Sequence, residues 1–413
     1  MYGRSVEASS ASDLTIGFSM KKGQMQEMSR FRSMKVTGAI MAVAVATVLA
    51  GCSSQPAPAP TDTGSGAASG PYASEVATAK KLIPELDADI VKKACDEKQL
   101  TLYTLIFRND LNPLVQKFQD AFPCITIQKT ALSGGASAER FATEARAGTV
   151  GADIWMNSSP AAADSYAKEG LLTSWTPPNV KRIIPAQFKD SKYWWSVGTV
   201  TIGIAWNKDA VGPAMDKKLS SITTWDQLAV AGLKGKSGMA NVRAGGTTQL
   251  PYFYMEQRYG KSSLEKLDST LQPTIFSGVA ALSAQLASGA IAYAPLTGGG
   301  TLIADTWTAG APVRWRSLEP GLAVPFFETI AKTAPHLNAA KLFVAWSLSQ
   351  QGQQSWNSDV GLTPVNPAIK DLRTYAKESW FKEPSLKSYF VPDWTKINDD
   401  LPQLTSDFDS IFG

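Results

Sequence analysis

Three short stretches combine hydroxyls and a helix start, two of them with glycines, in a way suited to holding an anion: Ser133-Gly134-Gly135-Ala136-Ser137, Asn157-Ser158-Ser159-Pro160 and Arg243-Ala-Gly-Gly-Thr247-Thr248. Glycine lets the backbone approach a ligand closely, and the first amides of a helix have no intrahelical acceptor, so they present positive partial charge. Arg243 adds a guanidinium able to grip a carboxylate or phosphate through two bonds. The same residues have plainer uses, since Ser and Thr before a helix serve as N-caps and Arg243 can pair with a neighbouring acid. Gly298-Gly299-Gly300 lacks the Lys-Ser/Thr of a nucleotide-hydrolase phosphate loop and reads as a flexible helix entry.

Further contacts could come from Thr104 and Arg108 after the first apolar run, and from Pro295 and Thr297 after a later one. Trp155, Tyr193 and Trp194 could stack on a flat or cationic organic ligand, or pack the edges of the fold. Trp195, Tyr252 and Tyr254 read as packing. Catalysis has little to work with. The single histidine, His336, follows Ala334-Pro335 in a turn with no Cys or carboxylate cluster, and reads as an exposed turn residue. No paired catalytic carboxylates are evident, so an enzyme is not expected, and neither a metal nor a cofactor is called for.

The elements that must position these residues alternate. Leu100 to Leu105 precedes a helix from Asn112, Ile125 to Lys129 a helix from Ala136, and Ala152 to Met156 a helix from Pro160. Repeated βαβ units of this kind give parallel strands buried on both faces. Val197 to Trp206 follows without a helix of its own and predicts a crossover into a second lobe. There, strands are expected near Gly238 to Val242 and Ala290 to Leu296, with helices from Thr247, Ser263 and Ser277. Leu322 to Lys332 predicts the return, and Asn338 a cap for the helix Ala339 to Gln350. The expected fold class is α/β, two lobes with parallel-core mixed sheets joined by a two-strand hinge. Residues 75–200 with 318–413 form the first lobe and its C-terminal helices, and 201–317 the second. Trp380, Phe381, Tyr389, Phe390 and Trp394 read as a helical packing flank.

The chain before this body is of another kind. Arg30, Arg32 and Lys35 precede an apolar run from Val36 to Ala50, which at about 1.5 Å per residue is too short to span a hydrocarbon core of roughly 30 Å comfortably. It closes on Leu49-Ala50-Gly51-Cys52, which resembles a bacterial lipoprotein signal and implies cleavage before Cys52 and diacylglycerol on its sulfur. Residues 1–33 are read as an extension outside the fold, 34–51 as the signal, and 52–74 as the lipidated cysteine with a Pro-, Ala-, Gly- and Ser-rich linker. Removing the six basic and three acidic residues before Cys52 from 40 and 36 leaves 34 against 33, so no nucleic-acid partner is signalled. Two cysteines remain. Cys95 precedes the first strand and Cys124 opens the second; if these strands are parallel neighbours, both lie at one sheet edge and a bridge is reasonable, with two buried thiols as the alternative.

Along the body, Leu100-Thr-Leu-Tyr-Thr104, Phe118-Gln-Asp-Ala-Phe-Pro123, Ala145-Arg-Ala-Gly148, Gly151-Ala-Asp-Ile-Trp155, Lys168-Glu-Gly-Leu-Leu172, Gly203-Ile-Ala-Trp-Asn207, Ala339-Ala-Lys-Leu-Phe343 and Gln350-Gln-Gly-Gln353 follow in order. In this order the sequence resembles the solute-binding proteins of ABC importers, in the branch related to ferric-ion-binding proteins. The resemblance implies a type II periplasmic-binding fold, monomeric, that closes on a small solute and delivers it to permease subunits from the extracytoplasmic face of the cell membrane. Ferric-ion binders use adjacent tyrosines at the end of a second-lobe strand, where this chain has Ala294-Pro295-Leu296 with Tyr293 alone nearby. An anionic or zwitterionic organic solute is therefore expected before iron. A sensor or scaffold lipoprotein on the same fold is the other reading.

Overall fold

The computed structural model describes residues 70–106, 111–182, 189–190, 192–298, 306–384 and 388–413. Arg108, the signal sequence and Cys52 lie outside them. Two helices, α1 (Ala73–Leu82) and α2 (Ala88–Glu97), lead into β1 (Gln99–Thr104), α3 (Leu111–Ala121), β2 (Thr126–Ala131), α4 (Gly134–Arg146), β3 (Ile154–Asn157) and α5 (Pro160–Lys168). β1 pairs in parallel with β2 on one side and β3 on the other. Pro160 takes the first position of α5, where its missing N–H costs nothing.

β4 (Lys189–Asp190) and the long β5 (Trp194–Asn207) follow, the latter buried throughout. Then come α6 (Lys208–Ser220), β6 (Gly238–Ala240), α7 (Gly246–Tyr259), α8 (Lys261–Leu271), β7 (Thr274–Phe276), α9 (Val279–Ser288), β8 (Tyr293–Gly298) and the equally long β9 (Val313–Ile330). The chain ends with α10 (Leu337–Ser347), α11 (Gln350–Ser358) and α12 (Trp394–Phe412). No helix among the described residues is long and apolar enough to cross a membrane.

β5 and β9 run antiparallel through both lobes. Trp194 to Ile202 pairs with Leu322 to Thr329, and Gly203 to Asn207 pairs with Val313 to Ser317. Between Ile202 and Gly203 the partner jumps from Leu322 to Ser317, so Leu318 to Gly321 leaves the ladder. Each half then receives the same layers. On one side the order is β2-β1-β3-β9-β5; on the other, β7 and β6 are parallel, Ser237 bridges in parallel to Tyr293 of β8, and β8 is antiparallel to β5. Two cores result. Leu100, Phe118, Ile154, Trp195, Phe343 and Trp346 belong to the first lobe, and Trp206, Trp225, Leu250, Tyr254, Leu264 and Tyr293 to the second.

Several expectations need correction. α12 does not belong to the first lobe alone: Ile397, Leu404 and Phe408 are buried in the second-lobe core, Phe408 edge-on to Tyr252, while the helix also lies against α5 of the first lobe. The aromatic stretch before it is mostly non-helical and crosses the back of the hinge. There Thr363 exchanges two backbone hydrogen bonds with Thr199, Lys382 accepts from the Ser317 amide, and Gly321 accepts from the Phe390 amide. Asn338 is not a cap. Glu97 accepts from the Asn338 and Ala339 amides at 3.2 and 2.8 Å and so caps α10 itself. His336 is also no free turn residue, since its Nδ1 lies 2.9 Å from Oδ2 of the fully buried Asp153 and its amide donates to Oδ1. Cys95 and Cys124 are bonded, with Cα atoms 5.1 Å apart and a sequence separation of 29. Among the described residues their sulfurs and Glu75 form a group of possible metal donors, but both thiols are spent in the disulfide.

Candidate functional site

In open α/β lobes ligands bind beyond the carboxyl ends of the strands. At those ends the first lobe presents Ser133 to Gly135 at the start of α4 and Asn157 to Ser159 at the start of α5. The second presents Asn241 to Thr247 before and into α7. The two sets face one another. A Cβ built on Gly134 would stand 3.8 Å from the Ala244 carbonyl oxygen, and one on Gly135 3.8 Å from that of Arg243.

Each loop is locked from within its own lobe. Asn157 Oδ1 accepts from the Ser158 and Ser159 amides at 2.8 and 3.1 Å, and its Nδ2 donates to the Gly134 carbonyl at 2.9 Å, joining the starts of α4 and α5. Ser133 and Ser159 cap these helices through the Ala136 and Ala162 amides. On the opposite side, Asn241 caps a short turn through the Arg243 amide, and Thr248 Oγ1 lies 2.8 Å from the Gly245 carbonyl and 3.1 Å from that of Val242. Gly245 has φ 131°, a conformation that a side chain would strain. The first amides of α4, at Gly134 and Gly135, and of α7, at Gly246 and Thr247, have no hydrogen-bond partner among the described residues. Unpaired amides at a helix start favour an anion.

The structure therefore brings together Ser133, Gly134, Gly135, Asn157, Ser158, Arg243 and Thr247, and sets others aside. Trp155 has no free face or donor: it stacks on Phe141 at 5.0 Å and its Nε1 donates to Ser137 Oγ at 2.8 Å, so both Trp155 and Ser137 are core residues. Tyr193 packs half-buried against that same cluster. Thr104 is buried, its Oγ1 accepting from the Ile106 amide. Thr248 is spent on its loop. Pro295 and Thr297 are not loop residues. β8 begins only at Tyr293, after Gly289 ends α9, so Pro295 lies inside the strand, where the register with β5 shifts between Gly203 and Ala205. A strand tolerates proline at such an irregularity.

Arg243 reaches outward to α12, gripping Asp409 through two bonds of 2.8 and 2.6 Å with both side chains half exposed. The pairing raises the guanidinium and lowers the carboxyl from their ordinary values. Of the two uses open to Arg243 in the sequence, the ion pair is the one occupied here. Its partner lies 166 residues away, and no local pattern announces Asp409. Tyr293 is equally committed. It is fully buried, its hydroxyl donates to the Leu228 carbonyl at 3.2 Å, and burial pushes its phenol up, away from the phenolate that ferric iron would require.

The model of the bacterial extracellular solute-binding protein family matches residues 108–354, well over half of the chain. The chain belongs to that family. Among solved structures, this family member resembles the periplasmic binding protein P5PA, with TM-score 0.61 and 21% identity over 76% of this chain and 99% of that one. It resembles equally AfuA from Actinobacillus pleuropneumoniae, solved with fructose-6-phosphate, at TM-score 0.61 and 19% identity over 76% and 98%. The ferric binding protein from Campylobacter jejuni follows at TM-score 0.60 and 17% identity over 76% and 99%. At such identities the likeness fixes the fold, a periplasmic-binding fold of two lobes, and not the ligand. No curated protein sequence matches the chain. As a member of this family it is a solute-binding component of an ABC transporter, which hands small solutes to a permease.

Proposed function

We propose that this chain is the lipid-anchored receptor of an importer for a small anionic or zwitterionic organic solute. The observation that carries the reading is that two helix starts with unpaired amides, Gly134-Gly135 from one lobe and Gly246-Thr247 from the other, belong to one loop cluster where the lobes meet, Gly134 and Gly135 facing the Ala244 and Arg243 carbonyls and Gly246 the Ser158 carbonyl. A carboxylate or phosphate between them would take amides from both lobes at once, and so would favour the closed form by its differential affinity. Ser133 and Ser158 stand beside those amides as further polar contacts. Arg243 sits at the rim, where an incoming anion would compete with Asp409 for the guanidinium. Anchoring through Cys52 behind the Pro- and Ala-rich linker would keep the loaded lobes near the permease. AfuA, solved with a sugar phosphate, is a protein of similar fold whose ligand carries such a group.

Ferric iron fits less well. Among the described residues the one tyrosine near the position expected for phenolate ligands, Tyr293, is buried and bonded to Leu228.

Native mass spectrometry of freshly purified protein, followed by thermal-shift titration with carboxylates, sugar phosphates and phosphonates, tests the assignment. An organic anion should co-purify or raise the melting temperature, and Arg243→Ala should weaken that shift. Stabilisation by ferric iron alone, with visible absorption, would replace the organic solute by the metal. No shift with any anion would end the anion reading.

A further inference from the structure

We infer that the backbone contact between Gly246 and the Ser158 carbonyl is the stop that sets how far the two lobes close. The inference rests on the two-lobed solute-binding reading and goes beyond it, because it assigns the closure angle to one position. Gly246 is the first residue of α7, yet its φ is not in the left-handed region, so backbone conformation does not demand glycine there. Space does. A Cβ at 246 would fall far inside van der Waals distance of the Ser158 carbonyl oxygen on the opposite lobe, 3.0 Å from the Ser158 carbonyl carbon and 3.3 Å from Val324 Cγ1 on β9. The other glycines of this cluster that face the opposite lobe are looser: a Cβ on Gly134 would stand 3.8 Å from the Ala244 carbonyl oxygen and one on Gly135 3.8 Å from that of Arg243, ordinary contact distances.

Neither side of the contact can yield locally. Ser158 is 5% exposed, its amide is held by Asn157, and the next residue caps α5. Gly246 is fixed by the Gly245 turn and by Thr248 bonding back to the loop carbonyls. A side chain at 246 must therefore be accommodated by moving one lobe against the other. Val324 pairs with Val200 on the crossover strands, so the stop stands next to the hinge, where a small separation opens the outer cleft by a larger one. Gly246 is thus a positioning residue: it acts on the solute through the width of the gap in which Gly134-Gly135 and Gly246-Thr247 offer their amides.

The experiment measures lobe separation by electron spin distance distributions between labels on exposed Gln116→Cys in α3 and Lys266→Cys in α8 of the full chain, with circular dichroism confirming the fold. Gly246→Ala should shift the distribution to longer distances than wild type. Gly278→Ala, whose new methyl would make only ordinary contact with Ala244, should leave it in place. Gly134→Val pushes into the same gap from the first lobe and should also lengthen the distance; it decides the matter if Gly246→Ala does not fold. Wild-type distances in both Gly246→Ala and Gly134→Val overturn the inference. Since this readout requires no solute, its failure and failure of the solute assignment are separable.

Discussion

The two lobes repeat one strand order but secure their cleft loops by different means. In the first lobe the loop residues hold one another: Asn157 ties Gly134 to Ser158 and Ser159, and the Cys95–Cys124 bond fastens the far edge of the same sheet. In the second lobe the corresponding loop leans on the last helix of the chain. Asp409 holds Arg243, Asp407 accepts from Lys261 at 2.6 Å, and Phe408 lies against Tyr252. The first-lobe loops are thus tied by residues near in sequence and their sheet by a covalent bond, whereas the second-lobe loop rests on a segment synthesised last, which also lies against α5 of the first lobe. The second lobe's cleft loop should be the part of the cleft most dependent on distant packing.

The strongest way to break the comparison is Phe408→Ala. Phe408 is 2% exposed and touches both Tyr252 and Phe412. Truncating a buried phenylalanine costs about 3–5 kcal/mol. We expect that loss in the second lobe, read as hydrogen exchange increasing in α7 and α8 while β1 to β3 keep their protection. An equal loss in both lobes would show that the two cores do not melt separately and that α12 serves the whole body. Next in size is Cys95→Ser with Cys124→Ser, which removes a constraint worth about 3 kcal/mol in the unfolded chain. The exchange pattern should reverse, with α2, β1 and β2 losing protection and the Arg243 loop unaffected.

The same contrast explains what was legible in the sequence. First-lobe strands are short apolar runs between capped helices, and Pro160 and Ser159 mark a helix start by local chemistry, so those βαβ units could be read directly. In the second lobe the signals are weaker. β7 spans three residues, none of them buried, and α6 is interrupted by Gly212 and Pro213, so neither declares itself. β9 begins at Val313, but Glu319-Pro320-Gly321 breaks its pattern and makes the strand look as though it starts at Leu322. At the site, the glycine and serine loops were visible because helix starts need particular residues. Which loop residues meet across the cleft, which helix holds Arg243, and why Trp155 is inaccessible all depend on partners 18 to 166 residues away. Only the folded chain supplies these.

Two carboxyl groups sharpen the comparison through pH. Glu328 on β9 is fully buried in the first lobe, its Oε1 accepting from Ser347 Oγ at 2.9 Å and its Oε2 unpartnered, and burial pushes it up to about 8 from an ordinary 4.5. An acid whose pKa is raised on folding gives full stability below its unfolded value. Stability then falls by about 1.4 kcal/mol at most for each pH unit between 4.5 and about 8, and levels off above. Glu328→Gln keeps an acceptor for Ser347 and should flatten first-lobe stability across that window, as followed by denaturant midpoints at several pH values. An unchanged slope would mean that Glu328 ionises freely in the folded state.

Glu256 on α7 is the second-lobe counterpart, with a smaller expected effect. Burial and its hydrogen bond to Asp407 push it up to about 7, against the opposing pull of Lys261. Because Glu256 is only partly buried, screening reduces what its ionisation can cost. The sign is still fixed: between pH 4.5 and about 7 the folded state holds the proton more tightly, so rising pH should loosen the contact between α7 and α12. Glu256→Gln should remove that dependence. The measurement is the exchange rate of amides around Arg243, the loop that α12 supports. In wild type these rates, corrected for the intrinsic pH effect, should increase from pH 5 toward pH 7.5 as Glu256 ionises, and in Glu256→Gln they should stay level. If both proteins show the same profile, the second-lobe loop does not depend on the α12 contact through Glu256, and its reliance on the end of the chain reduces to the packing of Phe408 and the pairing of Arg243 with Asp409.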